Sequence, residues 1–445
     1  MSESATWKNC TIRDVIERHF CGPSPDCEER KIFGAEEWGV LKTTAVTWAG
    51  WDETAHKVLP RAFWGQPQIE VHAGDVLVTK AGPRNRVGVV CHVPSTRSQL
   101  VVSGKMIGLR AKPEVVNARF LAGFLTTKEP QKYIHDRTTG MAESQVNFAN
   151  EVLLDSPLRL PPVYEQHLIA KVLDTLDTAI RETEALIDKL KAVKQGLLHD
   201  LLTRGIDANG KMRPPQSEAP QLYKESQLGW IPREWNQTST RELCSLITKG
   251  TTPAANNMWQ GGEGIRFLRV DNLSFDGQFD FVASNFRVSL GTHRGELSRS
   301  ICLPGDVLTN IVGPPLGKLG LVTTQTGEVN INQAIALFRP KPSLLPSFAL
   351  LWLGSTPAQT WLHKRAKQTS GQVNLTLALC QELPIPAVSL EEQHLIVESI
   401  EEMHERLSME GNELIKLQHM KSGLMDDLLT GRVRVTPLLE GGATP

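Results

Sequence analysis

The chain has 445 residues, more than one ordinary domain holds, and its 40% hydrophobic and 22% charged content is that of a globular protein. No apolar run approaches the roughly 18 residues that a membrane helix needs, and Met1-Ser2-Glu3-Ser4 carries no secretory pattern. The formal net charge of -1 does not by itself nominate a nucleic-acid binder.

The predicted elements run as follows. Strands are expected over Val71–Lys80 and Arg86–Val93, around the turn Ala81-Gly82-Pro83-Arg84-Asn85, and a helix over Asn117–Thr127. A long helix starts near Glu165. Asp207–Tyr223, with Asn209-Gly210 and Pro214-Pro215, reads as a linker. Gln227-Leu228-Gly229-Trp230-Ile231-Pro232-Arg233-Glu234-Trp235 opens a second globular stretch. Strands then return over Ile301–Ile311 and Leu319–Thr324, around Gly313–Lys318, with a helix over Ser347–Ser355 and a second long helix from Glu392. Residues 1–164 hold 20 Lys+Arg against 18 Asp+Glu, and residues 206–391 hold 17 against 14. Residues 165–205 hold 6 against 7, and residues 392–445 hold 5 against 10. The globular stretches are thus slightly basic and the last segment acidic.

The chain repeats itself in order. Ala73-Gly74-Asp75-Val76-Leu77 returns as Pro304-Gly305-Asp306-Val307-Leu308, and Phe120–Leu125 as Phe348–Leu353. Gln145-Val146-Asn147 returns as Gln372-Val373-Asn374, and Glu165-Gln166-His167-Leu168-Ile169 as Glu392-Gln393-His394-Leu395-Ile396. Asp200-Leu201-Leu202-Thr203 returns as Asp427-Leu428-Leu429-Thr430. The spacing stays between 227 and 231 residues, so the protein is two copies of one unit.

Each long helix carries an unbroken heptad seam. One reads Ile169, Leu173, Leu176, Ile180, Thr183, Ile187, Leu190, Lys194, Leu197, Leu201; the other reads Ile396, Ile400, Met403, Leu407, Glu410, Leu414, Leu417, Lys421, Leu424, Leu428. Alternating 4,3 spacing is the signature of coiled-coil packing. The polar interruptions Thr183/Glu410 and Lys194/Lys421 fall at equivalent places, where a polar residue fixes register at a cost in stability. Some forty helical residues span roughly 60 Å. An antiparallel intramolecular pair, related by a pseudo-twofold, is the simplest arrangement.

With these motifs in hand, each copy resembles a Type I restriction-modification specificity-subunit target-recognition domain followed by its spacer helix. The resemblance rests on the Gly-Asp-Val-Leu strand, the Gln-Val-Asn loop and the exits Leu160-Pro161-Pro162 and Leu383-Pro384-Ile385-Pro386. The Glu-Gln-x-x-Ile helix starts, the endings Gly196–Thr203 and Gly423–Thr430, and the opening Leu228–Trp235 carry the rest. The first copy departs by opening on Thr6-Trp7-Lys8, followed later by Glu37–Thr44.

The resemblance implies an α+β protein: two α/β target-recognition domains separated by a long antiparallel two-helix coiled coil. The expected division is recognition domain one at 1–164, central helix at 165–205, linker at 206–226, recognition domain two at 227–391, distal helix at 392–431 and tail at 432–445. It further implies a non-catalytic, cytoplasmic subunit that reads a bipartite, asymmetric double-stranded DNA site. The subunit would dock two methyltransferase subunits and the restriction subunits, with S-adenosylmethionine, ATP and Mg used in those partners and no cofactor in this chain.

Base contacts come from Arg, Lys, Asn and Gln on loops. In the first copy the candidates are Lys42, Lys80, Arg84, Asn85, Arg86 and Gln145; in the second they are Lys249, Arg266, Arg269, Asn272, Asn310, Lys318 and Gln372. A solvated surface charge is the competing reading for each. Gln145/Gln372 and Asn147/Asn374 recur in both copies, which favours a shared loop. Adenine methyltransferases need an Asn/Asp-Pro-Pro-aromatic loop; Gly313-Pro314-Pro315-Leu316 lacks both the polar group and the aromatic. The seven cysteines, at 10, 21, 27, 91, 244, 302 and 380, form no CxxC pair, which fits a reducing compartment. Cys10, His19, Cys21 and Cys27 match no standard zinc finger, so buried or free thiols are expected there. Two rival classes remain at this level: a duplicated protein-binding scaffold without DNA specificity, and an enzyme with its own methyltransferase or nuclease activity.

Overall fold

The computed structural model describes residues 7–369 and 372–435, without the side chains of residues 141–142, 367–369 and 372. The chain forms two compact units. One holds the residues up to Ala185 together with those from Asn412 onward; the other holds Leu186–Gly411. Each unit therefore contains half of each long helix.

The first unit is closed by Lys8–Thr11, which pairs antiparallel with Pro157–Leu160. Its main sheet runs in the order Ile16–Phe20, Met106–Ala111, Val76–Thr79, Val90–His92, antiparallel throughout. The second unit repeats this plan. Asn236–Ser239 pairs with Pro384–Ala387, and the sheet runs Cys244–Lys249, Ile335–Pro340, Val307–Asn310, Leu319–Leu321. The expected strands are thus present but shorter. Ala81–Gly82 leaves the main sheet to pair with Gln145–Asn147, because Gly82 at φ 149 bends the chain as no bulkier residue readily would.

One helix packs on each sheet. Ala118–Leu125 starts where the Asn117 side chain accepts from Phe120 N–H, and it buries Phe120, Leu121 and Phe124 against Val76, Val78 and Leu109. Pro346–Gly354 starts on proline and buries Phe348, Ala349 and Trp352 against Val307 and Phe338. In front of each closing strand stands a tryptophan. Trp235 is buried and donates to Glu392, and Trp7 meets Phe120 edge-on at 6.4 Å and lies against Gly431. A tryptophan thus stands at the same place in both copies, although the longer opening is missing from the first and the Trp7 indole N–H has no counterpart to the Trp235–Glu392 bond.

The copies diverge in their outer sheets. The first unit has three short strands, Gly39–Leu41, His56–Val58 and Leu100–Val101. The second has five, in the order Met258–Gln260, Phe286–Val288, Ile265–Leu268, Val329–Ile331, Ile301–Cys302.

The long helices span Val163–Thr203 and Leu390–Leu429. Every heptad position named above is buried or half-buried, Thr183, Lys194, Glu410 and Lys421 included. In the first unit Lys421 reaches Asp177 at 2.5 Å, while Leu428 and Leu429 share a core with Ile169 and Leu173. In the second, Lys194 lies 3.3 Å from His404, while Leu201 and Leu202 share a core with Ile396 and Ile400. The end of one helix meets the start of the other in each unit, so the halves run antiparallel. Asp177 and His404 are themselves 227 residues apart, so the two lysines make equivalent contacts with different partners. Among the described residues no helix is long and apolar enough to cross a membrane.

Asp207–Tyr223 is not a loose tether. It docks Arg213, Ala219 and Tyr223 into the second unit and runs into a hairpin of Tyr223–Ser226 with Gly229–Pro232. Arg213 is the pin, reaching Glu392 and Glu234, each at 2.5 Å. Such desolvation is tolerable only with charged partners at hydrogen-bond distance.

Candidate nucleic-acid interface

The same loop pairing recurs in both units. In the first, Gln145–Asn147 pairs with Ala81–Gly82, and Arg84 N–H donates to the Glu143 carbonyl at 2.9 Å. In the second, Val312 bridges to Asn374, Gly313 N–H donates to the Val373 carbonyl, and Leu375 N–H donates to the Ile311 carbonyl. A turn and a hairpin are thereby held side by side at the end of each main sheet.

At the opposite end of the strand that leads into each turn lies a fixed anchor. Asp75 is almost fully buried, accepts from His72 N–H, and takes both arms of Arg110 at 2.8 and 2.9 Å. Asp306 accepts from Leu303 N–H and takes Arg339 at 2.7 and 2.8 Å. These forked bonds hold Arg110 and Arg339 above their usual protonation range. Gln131 donates to the Gly88 and Leu125 carbonyls, and Gln359 donates to the Leu353 carbonyl beside Gly317. Gln166 and Gln393 each clasp the entry to the sheet-packing helix, accepting from Asn117 and Leu345 N–H respectively.

On this scaffold the first-copy candidates separate. Arg84, Asn85 and Gln145 are exposed and neighbouring. Arg84 pairs with the exposed Glu143 at 2.9 Å, a contact of the kind worth about 0–1 kcal/mol and readily exchanged. Lys42 is tied to Glu29 at 2.6 Å. The Lys80 ammonium donates to Asn150 at 3.1 Å. Arg86 donates to the carbonyls of Thr43 and Val46 at 2.6 and 2.8 Å, so it pins a neighbouring loop.

The second-copy candidates separate likewise. Lys249 is exposed at the end of its strand. Lys318 is half-buried, and its backbone N–H donates to Asn310. Asn310 is buried and spends its amide on the Pro315 carbonyl and Lys318 N–H. Asn272 is buried with its amide on Arg269 N–H and the carbonyls of Asp280 and Ser284. Both asparagines shape loops from beneath. Arg266 stacks 4.1 Å over Phe281 and Arg269 lies 5.2 Å over Phe286. The Gln372 side chain lies outside the described residues.

The cysteine cluster disperses. The Cys10 thiol faces the Leu158 carbonyl, Cys21 faces Asn150 and Cys27 faces the Pro25 carbonyl, and no group of ligands for a metal ion forms among the described residues. All seven thiols are free, and burial pushes those of Cys91, Cys244 and Cys380 up to about 12.

The geometry is that of a duplicated scaffold with divergent loop tips, and comparison with known proteins decides its family. The profile of the Type I restriction modification DNA specificity domain matches residues 41–192 and 232–419. The chain belongs to this family. Its two matched stretches are the two copies, and sequence-specific DNA recognition is the business of the class, which is generally non-catalytic. The specificity subunit of the Type I restriction enzyme EcoEI of Escherichia coli is 38% identical over 199 residues, covering 44% of this chain and a third, 33%, of that relative. The EcoBI specificity subunit of the same organism is 27% identical over 358 residues, covering 78% of this chain and 68% of the relative. Among solved structures, a chain from a type I R-M system studied for complex assembly and conformational transition aligns with a TM-score of 0.58 at 16% identity, covering 95% of this chain and 97% of that one. The HsdS subunit of Thermoanaerobacter tengcongensis aligns at 0.51 and 15% identity, covering 97% and 99%. At these identities the likeness to solved structures concerns the fold.

Arg110 and Arg339 escape a search for loop cations, although an Arg-x-Lys repeat with Lys112 and Lys341 marks them. Glu165 and Glu392 are fully or nearly buried, yet at the head of a heptad seam they read as ordinary surface acids.

Proposed function

We propose that this chain is the DNA-reading subunit of a Type I restriction-modification assembly, in which each unit reads one half of a bipartite, asymmetric double-stranded site. One observation carries the reading. A turn held against a Gln-Val-Asn hairpin recurs at the far end of the same Asp–Arg-anchored strand, while the turn residues differ: Arg84 and Asn85 in one copy, Pro314 to Lys318 in the other. A shared frame with different tips is what two dissimilar half-sites require. Each mismatched base pair costs roughly 1–3 kcal/mol, and separated costs add, so two modest readers make one stringent one.

The chemistry lies elsewhere in this reading. Two methyltransferase subunits would bring S-adenosylmethionine, the restriction subunits would bring ATP and Mg, and this chain would hold no cofactor and have no activity alone. Its free thiols suit a reducing cytoplasm. Selection from random duplexes by the chain with its methyltransferase partner tests the reading. Enrichment of one split motif is expected. Binding without enrichment would leave a protein scaffold, and methylation by the chain alone would leave an enzyme.

A further inference from the structure

The outer five-stranded sheet of the second unit sets two arginines directly opposite each other. Arg266 pairs in register with Arg287, and Arg287 pairs on its other side with Trp259. Directly opposed side chains share one face about 5 Å apart, and like charges so placed destabilise a sheet. Among the described residues neither guanidinium forms an ion pair. Arg266 is perturbed only by burial and by Arg287, both of which disfavour its charge. Asp276, Glu401 and Glu405 line the same groove as Arg266, and none of them bonds to it. Arg287 makes one long bond, 3.4 Å to the Gly264 carbonyl, and its Nε is buried without a partner. The Arg266 guanidinium carbon lies 4.1 Å from the centre of the Phe281 ring, a cation–π contact that uses none of its N–H donors. A buried donor without a partner ordinarily costs about 1–3 kcal/mol.

We propose that Arg266 and Arg287 form an oxyanion clamp that takes one DNA backbone phosphate, with Trp259 flanking it. The three outer strands of the first unit carry no arginine. The clamp rests on the DNA reading above, but its contact is independent of base sequence. It adds affinity and register to one half of the site, and it places an unpaired cation couple where an anion completes it.

The test uses the full chain with its methyltransferase partner, measuring binding to target and scrambled duplexes over a salt series. Arg266→Gln and Arg287→Gln should each weaken both duplexes by the same factor and lower the slope of log K against log salt by about 1. Neither variant should melt below the parent, because each removes a like-charge contact. Inorganic phosphate, titrated against equal ionic strength of chloride, should raise the Tm of the parent more than that of the double variant. Unchanged salt slopes overturn the clamp. So does a fall in Tm that accounts for the lost affinity, which would make Arg287 a structural pin. If the parent fails to tell target from scrambled duplex, the DNA reading fails, whereas discrimination with unchanged slopes removes the clamp alone.

Discussion

Arg434 lays both arms of its guanidinium on the fully buried carboxylate of Glu165, each at 2.7 Å. Arg213 does the same for Glu392 in the second unit. The segment after the second long helix thus seals the start of the first, in the role that the segment after the first helix plays for the second. Arg434→Ala would strand a buried charge. The expected loss is roughly 3 kcal/mol for the first unit, at the lower end of the range for broken buried pairs because Arg434 is one-third exposed. Urea denaturation followed at Trp7 and Trp235 separately checks this. Adding Glu165→Gln should recover part of the loss.

Asp75 and Asp306 each take a forked arginine and a backbone N–H at the start of the strand that leads into each turn. Asp75→Ala and Asp306→Ala should each cost about 3–5 kcal/mol, since each leaves a partly buried arginine without its partner. The effects should confine themselves to the mutated unit and add in the double variant, as distant independent sites do. Hydrogen exchange mapped along the chain reads both.

The exposed and buried polar residues of the turns should behave differently. Arg84→Ala should relax the preference at one base pair of one half-site by about 1–3 kcal/mol, with little change in Tm. Asn310→Ala should lower the Tm of the second unit, because the Pro315 carbonyl and Lys318 N–H lose their partner. Competition binding against single-base variants, beside calorimetry, separates the two.

Lys421 meets Asp177, whereas its counterpart Lys194 meets His404. An ammonium has no acceptor, so His404 Nδ1 must accept. Replacing it with a carboxylate should give the second unit the ion pair of the first. His404→Asp should stabilise by roughly 0.5 kcal/mol at low salt, with the gain shrinking as salt rises. Thermal melts in 20 mM and 500 mM salt (about 20 Å and under 5 Å of screening length) would reveal it.

One loop of the first unit should loosen in acid. The Arg30 guanidinium and Phe33 N–H hold Glu37 down to about 2, and Lys42 and Lys57 hold Glu29 below its usual range. Groups with lowered folded values contribute stability above their unfolded values near 4.5, and that stability is lost as pH falls toward 2. The exchange rates of residues 28–42 should rise over this window ahead of those in the main sheet. Equal rates throughout would sink the idea.

What was legible follows from the range of each signal. The heptad seams are written within single helices, and every position named in them is buried or half-buried. The repeat of Gly-Asp-Val-Leu and Gln-Val-Asn marks real equivalence, because the same strand, turn and hairpin recur in both units. The fates of Arg86, Asn272 and Asn310 were not legible. Their carbonyl partners lie 5 to 43 residues away, and sequence does not say whether a polar side chain finds backbone or solvent. Asp207–Tyr223 has a linker's composition, yet Arg213 nails it down through Glu392, 179 residues on. The Arg266–Arg287 pairing depends on strand register, which no local pattern reports.

We propose that the two units read DNA independently. The most direct measurement maps methylated adenines across a genome that carries this chain and its methyltransferase, before and after residues 1–160 are exchanged for those of another family member. A split motif is expected, of which one half changes and the other stays. A change in both halves, or methylation without a split motif, would contradict it.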